Sequence, residues 1–497
     1  MLFLLKAYIW TVLVFIIGKI GFMLFCHEGH VFTIADVWQV VTHGLTLDLS
    51  TALYFLIVPY LNCLFTCFRA LRPIIMKVYF LIISIAFALA FVADTSLYPF
   101  WGFKLDASCL QYLSQPEGIT QSVSAGYLLL RFVLVVVLTA AIFLLYTRPT
   151  PIPFLRGRGE DTPFLRGRGE DTSIDDVDMQ DNGSPPSQGG ARGGSAILHT
   201  CAHVLLMPLM VIGIRGGLSE STTNIGQVYY SQNQFLNHAA VNPVFSFLYS
   251  LSHQLGDLSQ YDFMDDAECR RLTANVYTTE SVLSDTLLNT TRPTVVIILL
   301  ESAGEQFAEA MPHLQQLKRE GISFSRCYAN SWRTDRGTVC TLSGYPSFPS
   351  VSVMKMPEKS RSLPSIARTL KRNGYGTTYL YGGDINFTNM RSYLIGTGWE
   401  RLISMDDYSR ADQGTAKWGV RDDITFNTLY QEIAHSNQSQ TSNLNARFLI
   451  GYSTLSSHEP WDVPVHKRSD EVQNAFAYLD DCLYDFVERL RPTPAWQ

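Results

Sequence analysis

The sequence predicts a two-part chain: about five membrane-spanning helices in the first 214 residues, then an α/β domain built on a parallel sheet. Three observations predict it. Only 16% of the 497 residues are charged, against the ~25% usual for soluble domains. Apolar runs close to the ~20 residues needed to cross a bilayer are confined to the stretch before Arg215. After Thr294, short β-branched runs alternate with helical periodicity, the signature of parallel strands joined by crossover helices.

The predicted spans are Ala7–Cys26, Leu47–Phe68, Met76–Asp94, Gly126–Thr147 and Ala196–Ile214. The first is long and lacks a small-residue cleavage pattern near Cys26, so it reads as a retained helix, not a signal peptide. Arg69, Arg72 and Lys77 sit between spans two and three without an acidic residue, which makes that loop cytoplasmic. Glu28 and Asp36, then Lys104, Asp106 and Glu117, fall in the outward loops, and everything after Arg215 lies outside. Lys19, Asp48 and Arg131 are charges within or at the edges of spans. They read either as a polar path through the membrane or, for Asp48 and Arg131, as side chains close enough to span ends to snorkel.

The domain boundaries follow. Residues 1–147 hold helices one to four, 148–195 a linker, 196–214 the fifth helix, 215–285 an outer connector and 286–497 the α/β domain. The linker contains PFLRGRGEDT twice in tandem, at Pro153–Thr162 and Pro163–Thr172, within Gly-, Pro-, Ser- and Asp-rich sequence that cannot bury a core. With 38 Lys and Arg against 44 Asp and Glu, there is no basic surplus for nucleic acid. Nine cysteines show neither C-x-x-C nor zinc-ligand spacing.

In the second half, Thr294–Leu300 is a continuous apolar run suited to a central parallel strand. Gly376–Tyr381 and Arg447–Thr454 are two more strands, and Glu305–Glu320 and Ser362–Asn373 are helical, the latter stopping at Gly374. The three strands hand over to Glu301, to Gly382-Gly383-Asp384 and to Ser456-Ser457-His458. The carboxyl ends of strands form the ligand crevice in such sheets. A carboxylate there can hold a hard cation, and an imidazole can bond an anionic substrate. In Asn330–Gly344, NSWRTDRGTVCTLSG, Thr334 is placed in the loop just before a helix N-terminus. It reads there either as a nucleophile whose ionised form the helix dipole favours or as a helix N-cap.

Several motifs together resemble the lipoteichoic acid synthase-like family of membrane phosphoglycerol transferases, within the alkaline phosphatase and sulfatase superfamily. They are LLES at Leu299–Ser302, RTDRG at Arg333–Gly337, SSHEPW at Ser456–Trp461 and the connector sequences Arg215–Gly226 and Gln234–Phe247, all after five spans. The resemblance implies an alkaline phosphatase-like (sulfatase) α/β domain and a divalent metal, Mn²⁺ or Mg²⁺. Glu301 and Thr334 would be its ligands and Thr334 the nucleophile. It implies His458, Asp384 and Arg391 as substrate-binding residues, with Asp335 and Arg336 supporting the loop. It further implies a phosphatidylglycerol-like lipid donor, a glycan or glycolipid acceptor, and a multi-pass protein of the bacterial plasma (inner) membrane with its α/β domain outside. The family's pattern continues into a strand ending in an Asp-His pair that completes the metal site, and no Asp-His dipeptide occurs here. The expectation is therefore an incomplete domain with weak metal binding and little turnover. Whether it is an enzyme stays open, the alternatives being a phosphoethanolamine transferase, a sulfatase or an inactive membrane fragment. The sulfatase alternative needs a C/S-x-P-x-R context, which neither Cys340 nor Ser331 provides.

The charge bias generates a direct test. A reporter fused after Gly217 should behave as extracytoplasmic and one inserted near Gly189 as cytoplasmic. The reverse pattern would overturn the orientation.

Overall fold

The computed structural model describes residues 2–27, 29–66, 73–110, 124–148, 189–252, 262–274, 288, 290–348, 351–442 and 447–496. The tandem repeat, the loop residues Arg69 and Arg72, and Glu28 and Glu117 lie outside the described residues. The chain divides into two compact units, one of residues 1–218 and 235–252, the other of residues 219–234 and 253–497.

In the first unit the long helices are α1 (Leu2–Phe25), α2 (Ile34–Thr66), α3 (Pro73–Trp101), α4 (Ala125–Thr147) and α5 (Gly189–Arg215). Among the described residues, four helices are long and apolar enough to cross a membrane, and the apolar described part of α5, His203–Arg215, is shorter. Helices α2 and α5 begin well before their predicted spans. For α2 the reason is a cap: Asp36 accepts from the Thr33 N–H and hydroxyl, while the Asp36 N–H donates to Thr33 Oγ1.

That earlier start corrects the reading of Asp48. It lies well inside α2, fully buried, and cannot snorkel. Lys19 Nζ reaches its Oδ2 at 2.7 Å and the Gly44 carbonyl oxygen at 2.7 Å, and Asn242 Nδ2 donates to Asp48 Oδ1 at 2.9 Å. Asp94 and Lys104 form a second buried pair. The short helices α6 (Gln234–Ala240) and α7 (Pro243–Ser252) are tied in by Asn242 and by the Tyr98–His238 contact at 3.0 Å. Arg131 lies over the Tyr127 ring, 4.8 Å from its centroid.

The second unit is the α/β domain. Its strands are β1 (Val295–Leu299), β2 (Tyr375–Tyr381), β3 (Arg401–Ile403) and β4 (Arg447–Ser453), in the parallel order β1-β4-β2-β3. The sheet is covered on both faces, as its apolar strands require. One face, with Phe448, Ile450 and Tyr452, packs on α12 (Asp422–Ser442) and α13 (Glu471–Leu490). The other, with Leu449 and Tyr379, packs on α9 (Thr334–Ser343), α10 (Ile366–Arg372) and α11 (Met390–Thr397). Gly451 is required in β4 because a Cβ there would come within 2.5 Å of the Tyr379 ring and 2.8 Å of Trp399.

The expected helix over 305–320 is a 3₁₀ turn, Glu305–Ala310, followed by α8 (Pro312–Glu320), because Pro312 opens a new helix where its missing N–H is harmless. Helix α10 starts at Ile366, four residues later than predicted, because the Ser365 side chain caps it. Strand β3 and helices α11 and α12 were not predicted.

Asp422 opens α12 and fixes the exit of β4. Its buried carboxylate accepts from the N–H groups of Leu455 and Ser456 at 2.9 Å each and from the Tyr452 hydroxyl at 3.2 Å. Burial pushes its pKa up to about 6, although these hydrogen bonds pull the other way.

Two predictions follow from these buried carboxylates. Asp48→Ala leaves the Lys19 ammonium uncompensated and should cost roughly 3–5 kcal/mol, while the double change Lys19→Met, Asp48→Leu recovers most of it. Thermal melts of the detergent-solubilised chain measure both, and equal melting of all three forms would refute the pairing. Asp422 has a raised folded pKa, so its contribution is fully present below the unfolded value of about 4 and is lost as pH rises through about 6. The difference in stability between wild type and Asp422→Asn should therefore shift by roughly 3 kcal/mol across that window. A pH-independent difference would show that the carboxyl titrates normally.

Candidate active site

The candidate site is built at the carboxyl ends of β1 and β4. Glu301 follows β1, and its N–H donates to Thr454 Oγ1 at 2.8 Å. Ser457 Oγ returns a hydrogen bond to the Glu301 carbonyl oxygen at 2.6 Å. The two strand ends are thus held together, and Ser302 turns the chain sharply with φ of 57°. A non-glycine residue in that region stores about 1–3 kcal/mol of strain, and such strain collects at functional sites.

Thr334 is the first helical residue of α9, not its N-cap. The cap position belongs to Arg333, whose side chain makes no capping bond. Thr334 Oγ1 donates instead to the Glu301 carboxylate, 3.2 Å from Oε1 and 3.1 Å from Oε2. The hydroxyl therefore sits at a helix N-terminus, where free N–H groups favour an anion, with a carboxylate on its other side.

Asp384 follows β2, Arg391 lies in the first turn of α11 and His458 follows β4. Asp384 Oδ1 accepts from the Asn386 N–H and Nδ2, both at 3.0 Å, and Arg391 Nε donates to Asn386 Oδ1 at 2.8 Å. Burial lowers the Arg391 pKa, and the carboxylates of Asp406, Asp384 and Asp407 raise it in opposition. Gly419 supports this turn. Its φ is +146°, and a Cβ there would meet the Gly382 carbonyl oxygen at 2.2 Å. His458 Nδ1 is 2.9 Å from its neighbour's carbonyl oxygen at Glu459, and its ring packs on Trp418 at 4.9 Å. Trp418 also packs edge-on to Phe387 at 5.8 Å, so it connects the His458 loop to the Asp384 turn.

Electrostatics draws the pieces together. The buried Tyr381 phenol has its pKa raised, first by burial and then by Glu301, Tyr379, Asp384 and Asp422. Tyr379, bonded to Ser453 at 2.6 Å, is pushed up to about 12, mainly by burial with Glu301 adding. Both phenols stay protonated, and the carboxylates that act on them come from the ends of β1 and β2 and from the start of α12. Asp335 is buried 4.0 Å from Lys355 Nζ, and the Arg336 guanidinium lies 5.8 Å from the Trp332 ring centroid.

Glu301 and Thr334 offer a cation two hard oxygen donors. Among the described residues no three His, Cys, Asp or Glu side chains form a metal-holding group. The donor chemistry suits Mn²⁺ or Mg²⁺, but the number does not, since such ions take about six ligands.

Sequence reasoning missed Trp418, Asn386, Thr454, Ser457 and Asp422. The clue available was the run KWGVRDD, Lys417–Asp423, an aromatic and a glycine ahead of paired carboxylates.

Residues 293–495 match the Sulfatase family model. Among solved structures, a protein of the alkaline phosphatase superfamily from Vibrio parahaemolyticus is 26% identical, with TM-score 0.42, covering 48% of this chain and 62% of that one. The lipoteichoic acid synthase LtaP from Listeria monocytogenes is 19% identical, with TM-score 0.37, covering 41% of this chain and 53% of its own. The chain thus spans less than two thirds of either structure. Residues 293–495, which carry Glu301, Thr334, Asp384, Arg391 and His458, are a sulfatase-like α/β domain, and the N-terminal part of the chain is made of apolar helices.

Proposed function

We propose that this domain transfers a phosphoglycerol-type group from a membrane phospholipid through a covalent bond to Thr334. The observation that carries the reading is the Thr334 hydroxyl, placed at the start of α9 and bonded to both oxygens of Glu301. Thr334 Oγ1 forms a bond to phosphorus while the bond from phosphorus to the diacylglycerol oxygen breaks. The hydroxyl proton passes to Glu301, and the leaving oxygen takes a proton from His458. An acceptor hydroxyl, on a glycan or glycolipid, then attacks phosphorus and gives its proton to His458, while the bond from phosphorus to Thr334 breaks and Thr334 takes back its proton from Glu301. Arg391 grips the phosphate with a guanidinium suited to two parallel contacts, and Asp384 bonds the glycerol hydroxyls. Glu301 and Thr334 would hold a divalent cation only weakly, and such a cation would supply charge neutralisation at the phosphate. The site faces outward from a bacterial plasma membrane in this reading.

A phosphoethanolamine transferase shares this layout, and only the head group of the donor separates the two. Sulfuric ester hydrolysis is less supported. Cys340 lies inside α9 with its pKa raised by burial, and a threonine holds the position at Glu301.

Single-turnover incubation with phosphatidylglycerol, read by intact-protein mass, should reveal a glycerophosphoryl adduct even if turnover is slow. Thr334→Ala should abolish it, a loss of about 10³-fold or more, and Thr334→Ser should keep part of it. An adduct that survives Thr334→Ala would overturn the mechanism, and one formed only from phosphatidylethanolamine would reassign the head group. In parallel, Mn²⁺ should bind the 497-residue chain with Kd of about 10⁻³ M or weaker, measurable by electron paramagnetic resonance. Micromolar binding would show that the donor set is larger than Glu301 and Thr334.

A further inference from the structure

A cleft of about 660 Å³ opens beside α10 and α11, lined by Arg361, Arg368, Lys371 and Arg372 with Gln232 and Gln234. That volume falls within the ~300–1,000 Å³ typical of small-molecule sites. Two of its four cations have carboxylate partners: Lys371 pairs with Glu400 at 3.0 Å, and Arg361 lies 3.6 Å from Glu358. Arg368 spends its guanidinium on three carbonyl oxygens, those of Leu363 at 3.0 Å, Arg361 at 2.6 Å and Gly396 at 2.5 Å. Carbonyl oxygens satisfy its hydrogen bonds without cancelling its charge. Arg372 has no ion-pair partner among the described residues. Two guanidinium charges therefore share one cleft uncompensated. Burial lowers the Arg368 pKa first, and the charge of Arg372 lowers it further.

The cleft is separate from the candidate active site. Helix α10 leads into the amino end of β2, whereas Asp384 follows its carboxyl end, and the strand's seven residues span about 20 Å. Gln232 helps hold the cleft's shape, donating to the Trp399 carbonyl oxygen at 2.8 Å and accepting from Lys371 at 3.4 Å.

We propose that this cleft is a second anion site, which binds a phosphate group through Arg361 and Arg372, with Arg368 and Lys371 supplying positive potential. Guanidinium groups match phosphate oxygens in geometry as well as charge. The phosphate can come from a phospholipid head group or from a free phosphate anion, and the experiment separates these. The proposal is independent of the catalytic reading, so Thr334→Ala leaves it unchanged.

The full chain in neutral detergent is titrated calorimetrically with inorganic phosphate and, separately, with dihexanoylphosphatidylglycerol. The variants are Arg372→Gln and the double change Arg361→Gln, Arg372→Gln. Arg368 is left intact because it braces three carbonyls. The double variant should bind about tenfold more weakly or worse, the loss expected for a charge-assisted hydrogen bond, with its melting temperature unchanged. High salt should weaken wild-type binding in the same direction. Binding of the lipid alone assigns the site to a head group, and binding of both ligands, or of phosphate alone, assigns it to the phosphate anion itself. Absence of binding by both ligands, or equal affinity in wild type and double variant, would overturn the proposal.

Discussion

The hydrogen bonds that join the end of β1 to the end of β4 determine what the rest of the outer domain can do. Glu301 is held through its own backbone, its N–H given to Thr454 and its carbonyl accepting from Ser457. Its carboxylate is thereby left available to Thr334. Asp422 holds the same loop from the other side through Leu455 and Ser456. A buried carboxylate accepting two backbone N–H groups is a stiff support, because each lost bond would leave a buried polar group unsatisfied. The position of His458 follows, since it comes directly after this braced segment and is backed by Trp418.

Sequence reading succeeded where a single local rule decides the outcome. The apolar β-branched runs became β1 and β4 within a residue of their predicted ends. The charged residue after each run falls just beyond the carboxyl end of its strand, because a run's last apolar residue marks where pairing stops. It failed where tertiary context overrides local pattern. Strand β3 has three residues, too short for any alternation to register, and exists through its pairing with β2. Helix α12 has almost no one-sided apolar pattern, and its inner end is fixed by the Asp422 contacts. Thr334 was placed one position too early, as a possible cap, because capping preference looks the same whether the hydroxyl bonds its own helix or a carboxylate across the site. Only the Glu301 distances distinguish the two.

The helical unit and the α/β domain treat buried charge in different ways. In the helical unit Lys19 meets Asp48 and Lys104 meets Asp94, with Asn242 satisfying the remaining Asp48 oxygen. The charge of each ion is met inside the helical unit itself, so these residues read as structure. Asp422 follows a second route: among the described residues no cation pairs with it, and it is compensated by hydrogen bonds from Leu455, Ser456 and Tyr452 while burial raises its pKa. Glu301 follows neither route. It is partly exposed, makes no salt bridge to a lysine or arginine among the described residues, and faces a hydroxyl. No lysine or arginine among the described residues pairs with that carboxylate, and the hydroxyl beside it is oriented by both of its oxygens.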